Sequence, residues 1–468
     1  MRRKLISLAA MAVLAVACTS GNGSQYPNPD YSWENDLAHR YAVDYNKTRQ
    51  DVKDYIARYM PDVTDEAIDE WTKSGILESR MIDGELMYFD RTAPNLFRVV
   101  PEAKILKRAA MTAEDRADEA FEDAFNTEIY RTVMAGETSA IAPASHSQRM
   151  RVKYTLTVDA DAVPDGTMLR CWLPLPREDV SRQKDFKFIS SYPENGVYSA
   201  PEFKHRTLYL EQQAKAGEPT VFNEMFEYTF IAEDFKLDAS KVEAAAKAAT
   251  GKDSFSSTAD YYNATAEYAE MTSEREAHII FSDRMKALAE ELTAGLVNPY
   301  DKAKAIFTWI SDNFPWAGAR EYSTIENIPE YVLDVRHGDC GQQSLLFITL
   351  CRICGIPAHF QSGFNMKPHG FWNLHDWAEV YFEGIGWVPA DQSNGINYAA
   401  EDEAGRYFYL GGTDCYRMIV NQDYGMPFSP AKTYPRSETV DFQRGEVESD
   451  LGNLYFDLWD YHMDIEYL

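Results

Sequence analysis

Three residue types that can carry out acyl chemistry together fall within about fifty positions of this chain. They lie in Gly338-Asp339-Cys340-Gly341, in His375-Asp376-Trp377, and in Trp387-Val388-Pro389-Ala390-Asp391. A thiol, an imidazole and a carboxylate in that order can act as nucleophile, base and orienting group. This is the thiol form of Ser-His-Asp logic. Taken singly each residue is ordinary, since a lone Cys at a helix start is most often a small buried hydrophobe. The ordered set is what points to an enzyme.

The flanking sequence supplies elements that could position them. Cys340 opens a helical pattern with Leu345, Leu346, Ile348, Thr349, Leu350 and Ile353 on it. Gly355 follows the helix end and Pro357 blocks continuation. A cysteine in the first turn meets unpaired backbone N–H groups and the positive end of the helix dipole. Both favour thiolate and predict a lowered thiol pKa. The Cys340 N–H is placed to bind an oxyanion. From Leu374 to Phe382 the residues alternate, with His375, Trp377, Glu379 and Tyr381 on one face. A turn at Glu383-Gly384, extended as far as Gly386, returns the chain through Trp387, Pro389 and Asp391. A pairing centred on residue 383 makes His375 and Asp391 direct or one-off cross-strand neighbours, with Cβ atoms roughly 5 Å apart.

At these residues the chain resembles the transglutaminase-like superfamily of papain-type thiol enzymes. The matching elements are Gly338 to Gly341, Gly355-Ile356-Pro357, Gly363-Phe364, His375 to Tyr381, and Gly386-Trp387-Val388 to Asp391. They span roughly residues 285 to 395. The resemblance implies Cys340 as nucleophile, His375 as base and Asp391 as third member. It also implies an α+β papain-like core with a nucleophile helix packed on an antiparallel sheet. Bacterial members often carry a β-sandwich before the core, with a segment like Trp172 to Pro176. Trp316, Tyr322 and Trp377 are candidates for oxyanion or substrate contacts.

The remaining sequence frames this core. Arg2, Arg3 and Lys4 precede an apolar run to Leu14 and then Ala15-Val16-Ala17-Cys18, which reads as a secretory signal over 1–17. Cys18 is placed for lipidation, with residues 18–30 as tether. Residues 31–135 read as a mainly helical accessory domain, with Thr64 as a helix N-cap and Asp83-Gly84 in a hairpin turn. Residues 136–149 have linker composition, 150–235 have the period of a β-sandwich, and 236–400 form the catalytic core. Residues 401–468 read as an aromatic-rich extension packed on that core. A formal net charge of −28 argues against a nucleic-acid partner. Cys171, Cys351, Cys354 and Cys415 are too few for a disulfide scaffold. The Cys351-x-x-Cys354 pair lies late in its helix, so it reads as structural thiols.

These readings predict an exported, lipid-anchored cell-envelope protein. It would cleave an amide in a peptide, peptidoglycan stem or glycopeptide, with no metal or organic cofactor. The same site with an amine as acceptor would be a transglutaminase. A peptide- or glycan-binding surface protein with a vestigial triad is the reading from a different class.

Overall fold

The computed structural model describes residues 28–398, 400 and 402–468. The signal segment and Cys18 lie outside the described residues. None of the described helices is long and apolar enough to cross a membrane.

The core is built on the helix Cys340–Ile353, in which every residue from Gly341 to Arg352 is buried. Asp339 caps it, accepting the Gln342 N–H while the Gln342 side chain accepts the Asp339 N–H. Gly355 adopts φ +75° after the helix, as a left-handed terminator must. The helix packs with Pro299–Asn313, whose Ala303, Ile306, Phe307 and Ile310 form one buried stripe behind the cap Asn298. Both lie against one face of a four-stranded antiparallel sheet. Its strands are, in order, Gly386–Ala390, Asn373–Phe382, Ala358–Asn365 and Arg417–Gln422. The side chains facing the helices are Ala358, Phe360, Ala378, Val380, Phe382, Val388 and Ala390.

The hairpin differs in detail from the sequence expectation. Ala378 pairs with Ala390 and Phe382 with Gly386, which centres the ladder on residue 384. His375 and Asp391 are therefore diagonal rather than direct or one-off neighbours, and Asp391 lies one residue past its strand. The Glu383-Gly384-Ile385 loop shifts the centre by one.

The β-sandwich departs further from expectation, because it is not confined to residues 150–235. One of its sheets is Trp459–Tyr467, Ser147–Val158, Thr220–Ile231 and Gln183–Tyr192. The other places Glu446–Ser449 beside Met168–Pro174, which pairs in turn with Thr207–Gln213. The segment 401–468 is thus not an extension lying on the core. It supplies a core strand, crosses over, and completes both sheets of the sandwich. The ladder from Trp459↔Val158 to Tyr467↔Met150 runs without interruption. Many of its aromatics are core residues, Trp459 at 3% exposure among them.

The N-terminal helices and the Ser79–Ile82/Glu85–Tyr88 hairpin form their own apolar cluster around Ile56, Ile68, Leu77 and Leu96. Thr64 caps Asp65–Lys73 as its sequence suggests. This unit grips the loop before the nucleophile. Asn95 Nδ2 donates to Gly318 O at 2.8 Å, and Gly318 N–H donates to Asn95 Oδ1 at 2.9 Å. Arg320 pairs with Glu78 at 2.9 Å, and Tyr331 also donates to Glu78.

Candidate active site

Cys340 occupies the first position of its helix, where the N–H groups of Cys340 and Gly341 have no acceptor among the described residues. It opens on a cavity of about 480 Å³ lined also by Trp316, Tyr322, Leu374, Asp376 and Gln443. The N-terminal unit supplies part of the wall through Asp44, Phe89 and Arg91.

His375 and Asp391 meet as a pair. His375 Nε2 lies 2.7 Å from Asp391 Oδ2, and both residues are buried. The ring's Nδ1 has no hydrogen bond to the protein among the described residues, so it is free for a proton partner. Asp391 is satisfied from further sides. Arg417 Nη1 lies 2.6 Å from Oδ2, and Asn394 Nδ2 donates to the same oxygen at 2.6 Å. Burial acts to raise the Asp391 pKa, but His375 and Arg417 together hold it well below the ordinary carboxylate range. Arg417 is itself fixed by Asp414 at 3.1 Å, and its carbonyl accepts Tyr228 Oη of the sandwich at 2.9 Å. Gly363, opposite His375 in the ladder, permits this closure: a Cβ there would lie 1.8 Å from Met418 O.

The thiol has a different partner. Cys340 Sγ lies 3.6 Å from Asp376 Oδ2, and no hydrogen bond links it to His375 among the described residues. Consecutive strand residues leave opposite faces. His375 shares a face with Trp377, ring centroids 5.6 Å apart, while Asp376 turns to the helix. Gly341 makes room for it, since a Cβ would lie 2.7 Å from Asp376 Oδ2 and 2.3 Å from Tyr322 Oη. Gln443 Nε2 holds the other Asp376 oxygen at 2.9 Å and also donates to His375 O.

The electrostatics reverse the expectation of a lowered thiol pKa. Burial first, then Asp376 and Asp339, push the Cys340 thiol well above its usual range. Burial and the neighbouring carboxyls of Asp441 and Asp339 push Asp376 up in turn. Burial also lowers His375, although Asp391 opposes this. The resting site is therefore a neutral thiol and a neutral imidazole, not an ion pair. Burial of the thiol first, and then the neighbouring Asp376 and Asp339, outweigh the helix terminus, whose partial charge is only about half a unit.

Of the three aromatic candidates, Trp316 lines the cavity and is 38% exposed, with Arg98 over its ring. Tyr322 donates its hydroxyl to Asp339 Oδ1 at 2.6 Å, so it braces the helix cap instead of offering a free donor. Trp377 Nε1 donates to Gln361 Oε1 at 2.6 Å, which removes it as an oxyanion donor. Behind it, Gln361 and Arg182 both bond Glu379, so a sandwich residue anchors the histidine strand. Cys351 is buried, and Cys354 contacts Thr293 Oγ1 at 3.7 Å, both apart from the cleft. Asp376, Arg417, Asn394 and Gln443 are site residues that the sequence reading passed over. Asp376 was visible beside His375, but Arg417 and Gln443 reach the site only through tertiary structure.

Residues 286–392, which hold Cys340, His375 and Asp391, match the family model described as the transglutaminase-like superfamily. A 136-residue stretch is 27% identical to the uncharacterized protein YebA of Bacillus subtilis, covering 25% of this chain and 18% of that relative. The chain therefore spans under a fifth of the curated relative it matches. Among solved structures, one described as a candidate cysteine protease from Cytophaga hutchinsonii is 15% identical, with TM-score 0.44, covering 69% of this chain and 92% of that one. The periplasmic domain of TgpA from Pseudomonas aeruginosa is 13% identical, with TM-score 0.26, covering 53% and 93%.

The raised thiol pKa gives a pH prediction. A group whose pKa lies above its ordinary value of about 8.5 is almost fully protonated at neutral pH. Alkylation of Cys340 by iodoacetamide should thus climb with pH through 9 and show no plateau between about pH 5 and 8. A rate that is flat across that range, measured by peptide mass mapping, would show a preformed thiolate and contradict this electrostatic account.

Proposed function

We propose that the protein is a cysteine-dependent amide hydrolase acting through Cys340, His375 and Asp391. The observation that carries the reading is the buried His375–Asp391 pair, with Nδ1 left free, in the same core as a cavity-facing cysteine at a helix N-terminus.

His375 does not line the cavity in the resting structure, so in this reading substrate entry both frees the thiol from Asp376 and brings it to His375 Nδ1. His375 takes the thiol proton as sulfur attacks the amide carbon, and the N–H groups at the helix start receive the developing oxyanion. Collapse breaks the C–N bond, and His375 delivers the proton to the departing amine. Water, deprotonated by His375, then attacks the thioester carbon, breaks the C–S bond and returns the thiol. Asp391, fixed by Arg417, holds the tautomer that leaves Nδ1 as acceptor. The substrates proposed are a peptide, a peptidoglycan stem or a glycopeptide. The acidic cavity gives the transferase alternative some support, because it would attract an amine acceptor.

Cys340→Ala should abolish amine release from a peptide library, with rate falling by orders of magnitude and folding retained. Cys351→Ala should keep activity if folded. Release of amine without incorporation of a labelled primary amine marks a hydrolase; stoichiometric incorporation marks a transferase. Full activity in Cys340→Ala would refute the proposal.

Export and lipid attachment through Cys18 belong to the same proposal and rest on the sequence before residue 28. The native protein should fractionate with membranes, and Cys18→Ala should release it or block processing. Complete recovery of the unaltered protein in buffer alone would contradict attachment.

A further inference from the structure

One carboxyl in the cleft lacks a bonded partner. Asp441 is only 7% exposed and lines the cavity beside Cys340, and Arg444 and Arg436 act on it, yet its carboxylate makes no hydrogen bond or ion pair among the described residues. A buried charge without a partner is costly unless it protonates or a ligand completes it. We propose that this cleft holds a subsite for a primary ammonium group of the substrate, built on Asp441 and Asp44. The proposal rests on the amide-hydrolase reading for its chemistry, but not for its geometry.

The two carboxylates come from distant parts of the chain. Asp44 ends a helix of the N-terminal unit and is 6% exposed. Its Oδ2 accepts the Glu321 N–H at 3.1 Å and Thr324 Oγ1 at 3.3 Å. Burial first, and then Glu321, push Asp44 up to about 7. Burial and Glu438 push Asp441 well above the carboxylate range. Both groups thus behave as acids awaiting a cation.

The cations on the cavity wall are mostly committed elsewhere. Arg320 pairs with Glu78, and Arg444 forms two-pronged contacts with Glu321 while also reaching Glu438. Arg91 alone among the wall arginines has no ion pair among the described residues, so it offsets one charge at most. The subsite shares its cavity with the reacting atom: Asp441, Asp376 and Cys340 all line it, and Asp376 contacts Cys340 Sγ. An ammonium group bound there would lie close to the scissile amide, as an N-terminal amine or a short cationic side chain can. This also gives the N-terminal unit a role, because it supplies half of the recognition.

The test is binding without turnover. Full-length protein carrying Cys340→Ala is titrated by ligand-observed NMR at about 0.15 M salt, where surface attraction is largely screened. The probes are L-alanyl-L-alaninamide, its N-acetylated form, and Nα-acetyl-L-lysinamide. At least one ammonium-bearing probe should bind about tenfold or more tighter than the acetylated dipeptide. Asp441→Asn should remove most of that preference. Which of the two binds tells an N-terminal from a side-chain ammonium. If Asp441→Asn does not fold, Asp44→Asn on the N-terminal unit makes the same test. Equal binding of charged and neutral probes, no binding by any probe, or a preference that survives substitution overturns the proposal. A preference without any cleavage by the wild-type chain would leave the subsite standing and remove the hydrolase reading.

Discussion

Burying the Asp391 carboxylate is the constraint around which this molecule is organised. A charge taken out of water must be paired and hydrogen-bonded, and breaking one partner of such a pair typically costs about 3–5 kcal/mol. Here the partners are His375 from one strand, Arg417 from another and Asn394 from the following loop. Meeting that requirement fixes the order of the core sheet. It brings a strand that follows the Asp391 turn back beside Ala358–Asn365, on the side away from Asp391's own strand. The orientation of His375 and the course of the C-terminal segment thus meet in one interaction.

The β-sandwich is tied into the same arrangement. Tyr228 holds the Arg417 carbonyl, Gln183 brackets Ile419 with two hydrogen bonds of 2.8 Å, and Arg182 pairs with Glu379 on the histidine strand. Arg182 and His359 bring Glu379 down to about 2 against the effect of its burial. Its ionised form therefore persists across the working range of pH. The sandwich is a brace for the strands that carry the site, and its completion by Trp459–Tyr467 joins the end of the chain to that brace.

The local elements were legible in the sequence because their signals are local. The Thr64 cap, the Gly355 terminator and the alternation through His375 all follow from short-range chemistry. The pairing of His375 with Asp391 was legible to within a residue of register, which a three-residue loop displaced. What could not be read was non-local. Nothing near Arg417 announces a carboxylate 26 positions earlier. Nor does the aromatic composition after residue 400 distinguish core packing from strands of another sheet. The thiol's surroundings were misjudged for the same reason. The helix terminus is visible in sequence, as is Asp339 beside the thiol, whereas burial and the carboxyl of Asp376 matter only once the strand lies against the helix.

The central claim is that His375, held by Asp391, activates the Cys340 thiol. The most direct measurement compares amine release from a peptide library by the wild-type chain and by His375→Ala, with the fold of both checked by circular dichroism. The account predicts that His375→Ala lowers the rate about a hundredfold or more. Equal rates in the two folded proteins would show that the imidazole does not act on the thiol, and the account would fail.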